Sequence, residues 1–153
     1  MRVTRTIAGA TAALTAVLGL SLATAGSASA AGGGSWHAYG NTNPITSSSS
    51  TWVCGTTKTV ASEVGAQVCA IRAPGGGAVQ GAVIVRNNRS SAYSTSAEVT
   101  LHDWSADVTW GCASSGVAAN SWSVCFSPTV ADDYYVYASG YANGVALPAS
   151  GDA

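Results

Sequence analysis

Few residues in this chain are equipped for chemistry. His102 is followed by Asp103 and Asp132 by Asp133, a second histidine stands at 37, and four cysteines lie at 54, 69, 112 and 125. Acyl transfer needs a nucleophile, a base and a carboxylate that orients the base. Residues 95–102 read as a strand, in which neighbours point to opposite faces, so Asp103 is not expected to orient the His102 imidazole. The chain has no G-x-S-x-G, no H-E-x-x-H and no phosphate-cradling glycine loop with its lysine. The Asp132–Asp133 pair reads as a solvated turn, because a glycosidase pair needs two carboxyls facing each other across a cleft. A protein without enzymatic activity and without cofactor is expected.

The cysteines could ligate a metal or close disulfides. No C-x-x-C is present and both histidines are far from any cysteine in sequence, so a zinc site is not expected. Three pairings of four cysteines are possible. Cys54 with Cys69 and Cys112 with Cys125 is favoured, since each pair brackets two short strands and a turn. Each closed loop would contribute about 3 kcal/mol on the chain-entropy model.

Disulfides require an oxidising compartment, and the first thirty residues supply the route to one. Arg2 and Arg5 precede an apolar run from Ile7 to Ala23, and Ala28-Ser29-Ala30 is a small-x-small cleavage signature. Residues 1–30 read as a secretory signal peptide, and an extracellular protein beginning at Ala31 is expected. Of the 153 residues only 8% are charged, against roughly 25% in an average domain, and the net charge is −1. No basic field is available to hold nucleic acid or an anionic membrane.

The elements that must position any site are strands. Residues 64–71, 78–85, 95–102, 107–112, 122–126 and 134–141 read as short β segments bounded by Gly, Ser, Asn or Pro, and no apolar period of 3.6 occurs after residue 30. The fold expected for 51–153 is all-β, a small antiparallel β-sandwich, immunoglobulin-like in architecture, with six to eight strands and two disulfides. Residues 31–50 read as a flexible N-terminal arm. Its Gly- and Ser-rich ends flank an island, Trp36-His37-Ala38-Tyr39-Gly40-Asn41-Thr42-Asn43-Pro44-Ile45. That island is either a strand folded back on the domain or an arm that orders in a partner's groove, with Trp36, His37, Tyr39, Asn41, Asn43 and Ile45 as partner-binding residues. On a strand, Trp36 and Tyr39 would face opposite ways and Tyr39 and Ile45 the same way. Asn88-Arg89-Ser90 matches the short glycosylation pattern and reads as a turn.

Five tryptophans and six tyrosines are many for so small a domain. Trp52, Trp110 and Trp122 stand two or three residues from Cys54, Cys112 and Cys125 and are expected to lie against the disulfides. Tyr134, Tyr135, Tyr137 and Tyr141 occupy both parities of one strand, so some should reach the surface and serve sugar or protein recognition.

An Ala-rich leader, a Gly/Ser arm carrying Trp36-His37-Ala38-Tyr39-Gly40-Asn41 and a compact four-cysteine β domain together resemble the small adaptor subunit of Streptomyces umbrella toxin particles. The resemblance implies a structural connector for bacterial competition. Its β domain would hold the repeat-bearing stalk of a large toxin subunit, and its N-terminal segment would enter a groove of a lectin subunit. Two other classes share the same layout. A secreted inhibitor of a protease or amylase would need a rigid exposed loop, whereas Ala73-Pro74-Gly75-Gly76-Gly77 reads as flexible and the Trp-Arg-Tyr triplet of tendamistat-type inhibitors is absent. A carbohydrate-binding module would set its Tyr and Trp rings in a planar row.

Overall fold

The computed structural model describes residues 32–153, so the leader at 1–30 and its junction with Ala31 lie outside the described residues. The described residues form twelve strands: β1 (Gly32–Gly33), β2 (Ser35–Gly40), β3 (Thr51–Cys54), β4 (Lys58–Ala61), β5 (Val64–Arg72), β6 (Ala78–Asn87), β7 (Tyr93–His102), β8 (Asp107–Val117), β9 (Ser121–Phe126), β10 (Val130–Ala131), β11 (Tyr137–Ala142) and β12 (Val145–Leu147). The excess over six to eight comes from two- to four-residue segments, too short to carry a readable alternation.

The strands build two sheets. The larger runs β2-β9-β6-β5-β3, with β10 beside β6 and β4 beside β5. The smaller runs β1-β8-β7-β11-β12; it is antiparallel except at its edge, where β1 lies parallel to β8. All-β architecture, two antiparallel layers and both expected disulfides are therefore present. Cys54–Cys69 joins directly opposed residues of β3 and β5. Cys112–Cys125 joins β8 to β9 and so ties the two sheets together.

Side-chain alternation explains the layering. Even-numbered residues of β5 (Val64, Ala66, Val68, Ala70) and odd-numbered residues of β6 (Val79, Val83, Val85) meet Ala97, Val99, Leu101 and Ala138 of the smaller sheet in one buried core. The opposite parities of β5, β6 and β9 supply a second buried cluster, Cys69, Ile71, Ala82, Ile84 and Val124, on the far side of the larger sheet. The larger sheet is thus buried on both faces, which is why β5 and β6 read as nearly continuous apolar runs. In β7 the pattern is strictly alternating, with inward residues buried and outward ones at least partly accessible.

A flexible arm over residues 31–50 is not what the described part of that segment forms. Residues 35–40 are the edge strand β2, antiparallel to β9. The chain leaves the smaller sheet at Gly33 and enters the larger at Ser35, crossing between them at Gly34. A Cβ at Gly34 would lie 2.9 Å from the Cys112 Sγ and 3.0 Å from the Phe126 carbonyl oxygen, so only glycine fits that crossing. The folded-back strand wins because the second cluster needs a cover. Tyr39, Ile45, Trp52, Trp122 and Phe126 pack on it, and Pro44 is buried.

Two further expectations need correction. The strand read at 134–141 begins only at Tyr137, because Tyr134 and Tyr135 belong to the loop after β10. Trp122 does not sit with Cys125. Three residues apart in a strand means opposite faces, so Cys125 points between the sheets while Trp122 joins the cluster around Cys69. Trp52, by contrast, lies with Cys54, and Trp110 with Cys112, each pair two residues apart.

Candidate functional site

The expected arm residues serve the domain itself. The Trp36 Nε1–H donates to the Ala113 carbonyl at 2.7 Å, and its ring packs toward the inter-sheet core. Tyr39 turns to the other side, where it lies 6.5 Å from the Phe126 ring; His37 meets the same ring edge-on at 5.6 Å. Asn41 Oδ1 accepts from Arg86. Asn43 Oδ1 accepts from the Ile45 N–H at 3.0 Å, which shapes the turn that lowers Ile45 onto the second cluster. Trp36 and Tyr39 do take opposite faces, and Tyr39 and Ile45 the same one.

The four tyrosines behave differently. All of them are exposed, Tyr135 by 82%. Tyr137 and Tyr141 point outward from β11, whose pairing with β7 sets Tyr137 opposite His102, Ser139 opposite Thr100 and Tyr141 opposite Glu98. On the next strand, Asp107 is opposite His102 and Thr109 opposite Thr100. The outer face of the smaller sheet is therefore a lattice of hydroxyls, carboxylates, one imidazole and two phenols.

Loops at one end extend this face with a rim of rings. Trp104, in the β7–β8 turn, is 77% exposed and meets Tyr134 edge-to-face at 5.8 Å. The turn is shaped by Asp103, whose Oδ1 accepts from the Ser105 hydroxyl and from the Ser105 and Ala106 N–H groups. These bonds, the hydroxyl first, hold the Asp103 carboxyl below its ordinary value. Arg72 braces the other loop: its guanidinium donates to the carbonyls of Asp132, Tyr134 and Ala153. Asp132 caps the same loop through the Tyr134 N–H at 2.7 Å, so the turn read at Asp132–Asp133 holds the two aromatic residues that follow it. A depression of about 400 Å³ lies between the two loops, lined in part by Asp103, Trp104, Asp132, Asp133 and Tyr134.

His102 is the centre of a polar relay. Its Nδ1 lies 2.8 Å from Asp107 Oδ1 and its Nε2 lies 2.7 Å from Ser139 Oγ. The imidazole is stacked on Tyr137 at 4.4 Å and 11°, which leaves its side chain 17% accessible. As expected, Asp103 takes no part. The sequence reading did not find Asp107, Ser139 or Trp104. Asp107 had a detectable signal, since only a four-residue turn separates it from His102 and a hairpin sets the two side by side. Ser139 had none, because its place beside His102 depends on a pairing with β11, 37 residues away.

Among the described residues, no three or more His, Cys, Asp or Glu side chains gather as a metal site, and no helix is long and apolar enough to cross a membrane. Comparison with protein-family models, with curated proteins and with solved structures finds no significant match to this chain.

Proposed function

We propose that the protein is a secreted binding protein that recognises a protein partner through the outer face of the smaller sheet and its aromatic rim. The observation that carries this reading is the exposure of Trp104, Tyr134, Tyr135, Tyr137 and Tyr141 on β11 and on the loops that lead into β8 and β11, with Trp104 and Tyr134 in edge-to-face contact. Contiguous exposed aromatics mark interaction surfaces, and Trp and Tyr dominate the binding energy of protein interfaces. Loops braced by Arg72 and Asp103 present these rings in a fixed arrangement, which lowers the entropy lost on binding. Two disulfides are consistent with an oxidising extracellular environment.

A connector also needs a second surface. Among the described residues β2 is an edge strand of the larger sheet, the kind of element that strand addition extends. On the resemblance to umbrella-particle adaptors, the partners would be a large toxin subunit and a lectin subunit, with the N-terminal segment meeting its groove as a docked edge strand. A second reading is saccharide binding, favoured by the hydroxyls of Thr100, Thr109 and Ser139 between the Tyr137 and Tyr141 rings.

Immobilised protein incubated with culture supernatant tests these readings. Retention of defined secreted subunits, lost in a Trp104→Ala/Tyr135→Ala variant, supports the protein-binding reading. Retardation in a polysaccharide gel, lost in Tyr137→Ala/Tyr141→Ala, would replace it with the saccharide reading.

A further inference from the structure

The relay on the smaller sheet has the order of parts used in nucleophilic acyl transfer: a carboxylate, an imidazole and a serine hydroxyl in one hydrogen-bonded line. An ionised Asp107 can only accept, so the Nδ1 that faces it carries the ring proton. In the neutral imidazole, Nε2 is then left with its lone pair toward Ser139, and the serine hydroxyl donates to it. This is the tautomer that takes a proton from a nucleophile. The Tyr137 ring stacked on the imidazole keeps it from swinging away.

We propose that Ser139 is a nucleophile activated by His102, and that the outer face of the smaller sheet transfers the acyl group of a neutral carboxylic ester to water. Ser139 Oγ bonds to the ester carbonyl carbon while its proton passes to His102 Nε2. The bond from that carbon to the leaving alkoxy oxygen then breaks, and the alcohol departs with the proton from Nε2. Water attacks the acyl-Ser139 ester, gives its proton to Nε2, and the acid leaves as Ser139 Oγ recovers the proton. Carboxylic acid and alcohol are the products.

Neighbouring groups suit the remaining tasks. Thr100 lies opposite Ser139, and opposed residues bring their Cβ atoms within about 5 Å. The Thr100 and Thr109 hydroxyls are 2.7 Å apart. Their mutual bond uses one hydroxyl hydrogen, so the other can donate to the oxygen that becomes negative in the tetrahedral intermediate. A groove of about 570 Å³ opens beside this row, lined in part by Glu98, Gly111 and Tyr141, and gives room for the body of an ester. Glu98 and Asp107 disfavour an anionic ligand, which selects neutral esters over phosphates and carboxylates. Asp107 is a positioning residue, because it acts only through His102.

The test is to incubate the intact, disulfide-bonded protein with an alkyl fluorophosphonate and to locate the adduct by peptide mass spectrometry. A single adduct on Ser139 is expected, absent when the protein has first been reduced and unfolded. His102→Gln should slow its formation by about 100-fold or more, the range that general-base catalysis supplies. Asp107→Asn should slow it as well, and Asp107→Glu should restore part of the rate. Release of p-nitrophenol from p-nitrophenyl acetate should show the same ranking, with hydrolysis lost in Ser139→Ala. An unmodified Ser139 in the native wild-type protein overturns the proposal, and so does equal labelling of native and unfolded chains. Because the site of the adduct is read in the wild-type protein, a variant that misfolds does not remove the test.

Discussion

The outer faces of the two sheets carry opposite solutions to the same problem. Beyond the shared core, the larger sheet presents Ile71, Ala82, Ile84 and Val124, and the chain covers them with Tyr39, Ile45, Trp52, Trp122 and Phe126. The smaller sheet presents Glu98, Thr100, His102, Thr109, Ser139, Tyr137 and Tyr141, of which Tyr137 and Tyr141 are exposed. An apolar face left open would drive aggregation, whereas a face of hydroxyls and half-solvated rings can remain in water until a ligand arrives. The N-terminal aromatics therefore pack into the fold, whereas the aromatics of β11 and its preceding loop are exposed and are the ones the proposed function assigns to recognition.

Removing the cover should have the largest effect. Deleting residues 31–50 takes away the half-buried Trp36, Tyr39 and Ile45 and bares the second cluster; full burial of such a side chain is worth about 1.5–3 kcal/mol, and each of these contributes a part of that. A loss of about 3 kcal/mol or more is expected, a large share of the ~5–15 kcal/mol that stabilises a folded domain. Urea unfolding and light scattering would report an unfolded or aggregating chain. A truncated protein with an unchanged midpoint would break the distinction between the two faces.

Uncoupling the sheets comes next. A Cys112→Ala/Cys125→Ala variant loses the bond between β8 and β9 and should be less stable by about 2–5 kcal/mol. Thermal unfolding would show this, and accelerated exchange at β1 and β2 should accompany it, since Gly34 crosses over that disulfide.

Changes on the open face should scarcely alter stability. Trp104→Ala and Tyr135→Ala are expected to stay within about 0.5 kcal/mol of the wild type while removing most partner binding. Titration calorimetry with the captured partner, beside a urea curve, separates the two effects. Equal losses in both would mean that the rim is structural.

The smallest effect belongs to the Asp103 turn. Its carboxyl has a lower pKa folded than unfolded, so its contribution is complete above the ordinary carboxylate value and is lost as pH falls through the lower, folded one. Acidification from about pH 4 toward pH 2 should loosen the Ser105 and Ala106 amides and alter Trp104 fluorescence. Asp103→Asn should remove that acid-side transition. A transition that persists in the variant would assign it to another carboxylate.

Much of this division is legible in the sequence, and the illegible remainder has a common cause. Alternation in β7 and the apolar runs of β5 and β6 reveal the strands, and the brackets around each cysteine pair reveal the disulfides. The island at 36–45 shows that large side chains need a partner, but whether that partner is the chain's own sheet depends on the Ile71, Ile84 and Val124 face, which no local pattern identifies. Proximity in sequence pairs Trp122 with Cys125, but parity sets them on opposite faces of β9. Ser139 stands beside His102 only through a strand pairing of 37 residues' separation, so an isolated reading of either segment cannot find the relay.

Hydroxyl-radical footprinting of the intact protein, read residue by residue, tests the contrast between the two faces most directly. Trp104, Tyr134, Tyr135 and Tyr137 should oxidise rapidly in the free protein and become protected when partner binds, while Trp36, Tyr39, Trp52 and Trp122 react slowly in both states. Rapid oxidation of Trp36 and Tyr39 in the free protein, with protection on binding, would contradict the account and restore the N-terminal segment as the free binding arm.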